Sequence, residues 1–246
     1  DSSSDISVTF KDKYSGVGEH AISSAVTNSE RSGIYIGTNN NVMNSADSAI
    51  LSGKDCTITG TRSSAIAGGN NNSLGPGDVD SCAIISGENN SITETSRSSA
   101  ILNGENCQIV SSTNSSLIAA INGTITGSDS CFIGCGDGST VTSSTDSAIV
   151  CGSHTLTGNA SFIGAGNNNS INGSWSGCVG GQNNTISASW SACLAGRDNA
   201  VTGDYSVATG RNNVVSGNSS VVFGKESTVA SDCSLVHGFR AKPYLG

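Results

Sequence analysis

The stretch Ser64-Ala65-Ile66-Ala67-Gly68-Gly69-Asn70-Asn71-Asn72-Ser73-Leu74 is a phrase that the chain repeats. It returns as Ser99-Ala100-Ile101-Leu102-Asn103-Gly104-Glu105-Asn106-Cys107-Gln108-Ile109 and as Ser161-Phe162-Ile163-Gly164-Ala165-Gly166-Asn167-Asn168-Asn169-Ser170-Ile171. Anchor glycines fall at 37, 53, 69, 87, 104, 136, 152, 166, 181, 196, 210, 224 and 238, and Ile121 holds the vacant place between 104 and 136. The spacing gives about fourteen repeats of 14 to 18 residues. A unit so short cannot bury a face alone, so the copies must stack into a solenoid. Each unit carries two short strands: Ser-Ala-Ile-x-x-Gly, and a second centred on one Ile, Leu or Val after the glycine. Asn and Gly tolerate the left-handed backbone of a tight corner, which assigns the asparagines to corners. The expected fold is all-β, a parallel β-solenoid over residues 32–240. Residues 1–31 read as an N-terminal cap or the end of a preceding module, and 241–246 as an exit segment.

Composition closes other routes. Charged residues make up 12% of the 246 and aromatics 4%, with 32 Gly against 2 Pro, which excludes coiled coils, helical bundles and most α/β enzymes. Nineteen acids against 11 bases give a net charge of −8, a poor endowment for gripping phosphate backbones, so no nucleic-acid partner is expected. No run of about 18 apolar residues exists to insert in a membrane. A start at Asp1 without an initiator Met reads as a processed or excised fragment.

Side chains alternate along a strand with period two, so each strand has two faces to read. Counting three residues back from each anchor gives an inward column that starts Ile34, Ile50, Ile66, Ile84, Ile101 and continues through Ile118, Cys178, Cys193, Val207, Val221 and Leu235. The opposite face of the same strand is also apolar, with Leu51, Ile85, Leu102, Leu117, Val150, Leu194 and Val222. Strand two differs: its apolar centre is flanked by hydroxyls, as in Thr57/Thr59, Thr140/Thr142, Thr155/Thr157 and Thr185/Ser187. One wall is thus wet outside and the other dry on both sides. A dry outer wall of many turns marks an interface, and those seven residues are expected to join the chain into an obligate oligomer.

Nine cysteines contain no C-x-x-C pair, and no zinc-finger spacing appears. Cys135 with Cys151, and Cys178 with Cys193, occupy equivalent places in adjacent turns and are candidates for stacked thiols. Mostly free thiols fit assembly in a reducing compartment. Three histidines, His20, His154 and His237, lie too far apart to share a site, and nucleophile-elbow, P-loop and Rossmann signatures are absent. No catalytic residue, metal ligand or cofactor is expected, and the chain reads as a non-enzyme.

Tyr205-Ser206-Val207-Ala208-Thr209-Gly210-Arg211-Asn212-Asn213-Val214-Val215-Ser216-Gly217-Asn218-Ser219 resembles the fourteen-residue unit of trimeric autotransporter adhesin heads, the YadA-type left-handed parallel β-roll. Ser219 to Gly224 and Asp232 to Gly238 resemble further copies, and Gly-Gly-x-Asn-Asn at 180–184 is similar to rolls in phage and large-virus fibres. The resemblance covers residues 32–240. It implies a left-handed roll in a side-by-side homotrimer on a virion or cell surface, a fibre or adhesin head that displays or attaches to a host receptor or glycan. A second reading, from another class, is an ice-binding β-solenoid whose Thr-x-Thr ladders order water. A third is a tailspike-like polysaccharide depolymerase, which needs paired acids in one groove.

Overall fold

The computed structural model describes residues 7–8 and 16–243, and within them the chain is all-β. Two compact units form, Asp1–Asp129 and Ser130–Gly246. Together they hold about fourteen turns of parallel β-solenoid. No described helix is long and apolar enough to cross a membrane.

In the first unit the strand-two segments are Ala25–Thr27, Asn41–Met43, Thr57–Thr59, Ser73–Leu74, Ser91–Thr93, Gln108–Val110 and Thr124–Thr126, each parallel and in register with the next. Strand one follows the same rule, with Ile34, Ile50, Ile66, Ile84 and Ile101 stacked as successive partners. In the second unit strand two runs from Thr140–Thr142 through Ser153–Leu156 and Asn167–Ile171 to Thr228–Val229. Strand one there begins at Phe132–Asp137 and ends at Leu235–Phe239. Each strand sets one apolar side chain per turn into the interior, aliphatic except where Cys178 and Cys193 take the strand-one place, and Ile50, Ile58, Ile66, Ile84, Ile92 and Ile101 have no exposed surface. Each such burial is worth about 1.5–3 kcal/mol before chain entropy is set against it.

The corners are held by polar ladders that run from turn to turn inside the wall. One is serine: Ser48 N–H donates to Ser32 Oγ at 3.1 Å and Ser64 N–H to Ser48 Oγ at 3.3 Å, and the second unit repeats this from Ser147 through Ser161, Ser176, Ser191, Ser206 and Ser220 to Ser234. Another is asparagine. Asn184 Nδ2 donates to Gly196 O at 3.0 Å, and Asn184 Oδ1 accepts from the backbone N–H of Asn199 at 3.1 Å. Asn169, Asn199 and Asn213 repeat the pattern. Backbone groups at a buried corner would otherwise lose water without a partner. The Asn-Asn pairs therefore divide the work. The first adopts the left-handed conformation (Asn183 φ 56°, Asn212 φ 56°), and the second is buried as a rung. The preceding glycine is forced, since Gly181 has φ +108° and a Cβ there would lie 2.0 Å from Gly196 O.

Four expectations from the sequence are corrected. The roll does not wait for residue 32: Gly16–Ile22 pairs with Gly33–Thr38, and Ala25–Thr27 with Asn41–Met43. Residues 1–6 and 9–15 lie outside the described residues, as do 244–246. Leu117 is a core residue, fully buried opposite Ile101, and Ile118 faces out. Ile121 pairs with Glu105, so Ala120 takes the anchor place opposite Gly104 and the count shifts by one. Neither Gly104 nor Ala120 has positive φ; Asn103 and Ala119 turn the chain there, which is why alanine fits. Val222 is likewise interior. A bulge at Leu194 sets Cys193 opposite Ala208 and Ala195 opposite Thr209, which drops one residue from every later turn. Ala208, Val222 and Val236 fill the core, and Val207, Val221 and Leu235 turn outward.

Candidate functional site

Among the described residues no three His, Cys, Asp or Glu side chains converge to hold a metal. In the first unit Glu88 and Glu105 stand in register on adjacent turns beside a shallow groove of about 560 Å³. Both are exposed, in like surroundings, whereas a general acid and its partner base need unlike ones. Ion pairs sit at exposed corners, as Arg31 with Asp47 (2.5 Å) and Arg240 with Glu226 (2.8 Å). Each arginine holds its partner carboxyl below the usual carboxylate range.

The outer faces are the extended features. On strand two the outward positions are Ala25/Thr27, Asn41/Met43, Thr57/Thr59, Ser91/Thr93, Gln108/Val110 and Thr124/Thr126 in the first unit, with Ser73 between Thr57 and Ser91. In the second they are Thr140/Thr142, Thr155/Thr157, Ser170/Asn172, Thr185/Ser187, Ala200/Thr202, Val214/Ser216 and Thr228/Ala230. The chain has 11 Lys and Arg and 19 Asp and Glu, yet none occupies this face among the described residues. Register fixes the array, with Thr140 beside Thr155, Ser170 beside Thr185, and Thr185 beside Ala200. Neighbours lie about 4.8 Å apart across strands and about 6.6 Å apart along them. β-Branched threonine is stiff at χ1, so methyl and hydroxyl are presented in few orientations.

Strand one presents the dry face. Leu51, Ile85, Val150 and Leu194 are 47, 47, 42 and 46% exposed, Leu102 is half-buried, and Phe162 lies on the same outward face, in the column of Ala148. At a third corner of the second unit Trp175, Trp190 and Tyr205 project in the left-handed conformation, and the Trp190 and Tyr205 rings stack at 5.1 Å.

The thiols separate by environment. Cys135 and Cys151 are register partners, half-buried, with Sγ atoms 2.7 Å apart. Cys178 and Cys193 are register partners in the core, and a hydrogen bond between them together with burial keeps the Cys178 thiol protonated. Sequence reading missed the others' role. Cys56 and Cys107 stand in the asparagine ladder, each taking the Oδ1 of the previous rung on its backbone N–H, and Cys82 stands in the serine ladder. Burial pushes all three thiols up, so they act as small ladder members rather than nucleophiles. The available signal was position: each follows its anchor or its corner by the count an Asn or Ser would have. His154 is another such replacement, its Nδ1 accepting from the Asn169 backbone N–H at 3.1 Å and its Nε2 donating to Cys151 O at 2.9 Å. Burial lowers its pKa.

Residues 156–242 match the grass antifreeze β-roll family. The β-roll expected from the adhesin resemblance is thus supported, and the family matched fits an ice-binding solenoid better than an adhesin head. No curated protein matches the sequence. Similar solved structures include a putative acetyltransferase from Desulfovibrio desulfuricans G20 (8% identity, 91% of this chain and 69% of that one, TM-score 0.19). Arabidopsis UDP-N-acetylglucosamine acyltransferase is 14% identical over 94% of this chain and 72% of its own, with a TM-score of 0.23. The corresponding enzyme of Bacteroides fragilis 9343 is 16% identical over 85% and 68%, with a TM-score of 0.19. Likenesses this low bear on neither fold nor function.

Proposed function

We propose that the chain is an ice-binding β-roll and that its ice-facing surface is the outer face of strand two. The observation that carries this reading is an array of short hydroxyl and methyl side chains in register and without a charge, clearest at Thr140/Thr142, Thr155/Thr157 and Thr185/Ser187. The family match over 156–242 supports it. A charged side chain binds its own hydration shell tightly and breaks a lattice of water. A rigid, uncharged array with two fixed repeat distances can instead anchor water in an ordered layer that merges with ice. Ladders of hydrogen bonds behind the face supply the rigidity. Ice forms first in extracellular water, so the reading carries an extracellular setting with it. Thermal hysteresis at micromolar protein tests it. Wild type should depress the freezing point below the melting point, and Thr155→Lys with Thr185→Lys should abolish the gap while the β signal in circular dichroism is kept. No hysteresis in the wild type, or hysteresis unchanged in the double variant, defeats the proposal.

Exposed aliphatics on strand one favour a second, compatible assignment: this face joins copies of the chain, as the left-handed side-by-side homotrimer of the adhesin-type rolls would. The hydroxyl face would then look outward, to ice or, in the attachment reading, to a receptor or glycan. Sedimentation equilibrium tests it, and a monomer at all concentrations would overturn it.

A further inference from the structure

Nine thiols are spread through the turns, and one pair among them meets within reach of solvent. Cys135 and Cys151 are Cα partners on adjacent parallel segments, Phe132–Asp137 and Ala148–Cys151, and their Sγ atoms lie 2.7 Å apart. Adjacent strands are about 4.8 Å apart, inside the range that a disulfide bridges. The column does not demand sulfur, because later turns place Ala165, Gly180 and Ala195 just before their glycines. Both thiols are half-buried, so a small oxidant reaches them, whereas Cys178 and Cys193 are sealed in the core.

We propose that Cys135 and Cys151 are a modification site, joined by an inter-turn disulfide when the protein meets a small-molecule disulfide oxidant such as oxidised glutathione. One protein thiol, as thiolate, attacks the oxidant and expels one reduced small thiol. The other, losing its proton to solvent, attacks the mixed disulfide and expels the second. Two protein thiols lose two hydrogens, and one small disulfide becomes two thiols. The bond closes a loop across one turn and restricts the unfolded chain, so the oxidised protein should melt at a higher temperature.

Oxidised glutathione is added to the folded protein in a Cys233→Ser background, which removes the exposed thiol able to cross-link chains. Intact mass should fall by two hydrogens per chain. Cleavage before aspartate should yield fragment 129–136 linked to fragment 146–197. The link should vanish in Cys151→Ser and persist in Cys131→Ser. Native alkylation of unoxidised wild type should label Cys135 and Cys151 and spare Cys178 and Cys193, a readout that needs no variant to fold. An unchanged mass, a link through Cys131, Cys178 or Cys193, or a mixed disulfide that never resolves overturns the proposal.

Discussion

His154 stands in a column whose other rungs include Asn169, Asn184, Asn199 and Asn213, and it does their work with a ring. Because Nδ1 accepts from Asn169 N–H, the ring proton belongs on Nε2, and a second proton on Nδ1 would face another donor. Burial holds the folded pKa below the ordinary 6.5. The sign follows: between the two values the unfolded chain binds more protons, so stability is full above about pH 6.5 and is lost as pH falls through the folded value. Denaturant midpoints taken from pH 8 to 5 should fall in the wild type and stay level in His154→Asn. The same drop in both would assign it elsewhere. The Asp47 and Glu226 carboxyls act in a lower window, below the usual carboxylate range, and do not confuse the result. Nothing in the sequence singled out this histidine, because its role depends on which rung the corner count assigns it.

Between residues and the molecule stand the ladders and the strands. Asn184→Leu keeps roughly the same volume but leaves Gly196 O and the Asn199 N–H without the side-chain partner each has. Gly196 O keeps the Gln182 N–H, so one orphaned group, the Asn199 N–H, in a dry corner should cost about 1–3 kcal/mol, read as a lower urea midpoint at unchanged slope. A loss below about 0.5 kcal/mol would mean that water reaches the corner. Leu117→Ala, now a core truncation, should cost about 2–5 kcal/mol in the same assay. Much of this level was legible: two strands per turn, the isoleucine columns, the corner asparagines and the hydroxyl flanks of strand two all come from period and spacing. What misled was counting back from glycine. The count holds only while every turn has the same number of residues between core and corner, and the bulge at Leu194 and the Ala120 anchor each changed it by one. A bulge is a backbone event with no residue type of its own. Neither the second asparagine's inward turn nor the thiol replacements had a compositional mark.

At the scale of the whole molecule, inside and outside are set by columns closed within one chain, so assembly and folding are separable. Leu194→Asp should leave the β-signal and melting intact and, if strand one joins copies, dissociate them in sedimentation. Loss of the fold itself would show that no stable monomer exists. Thr142→Asp, on the other wall, should leave the sedimenting mass unchanged. The asparagine ladder has one further consequence. Each rung speaks only to the rung before and the rung after, in one direction, and the interval between Asn169 and Asn184 is 15 residues. Excising residues 168–182 would therefore bring Asn183 and Asn184 to the places of Asn168 and Asn169, with Asn184 receiving the ring nitrogen of His154. The cut would heal as a shorter copy of the same object. A cut of 13 residues would leave a remainder of two that a corner or a bulge such as that at Leu194 must absorb before the columns could resume. The turn is thus the unit in which this protein changes length without repair.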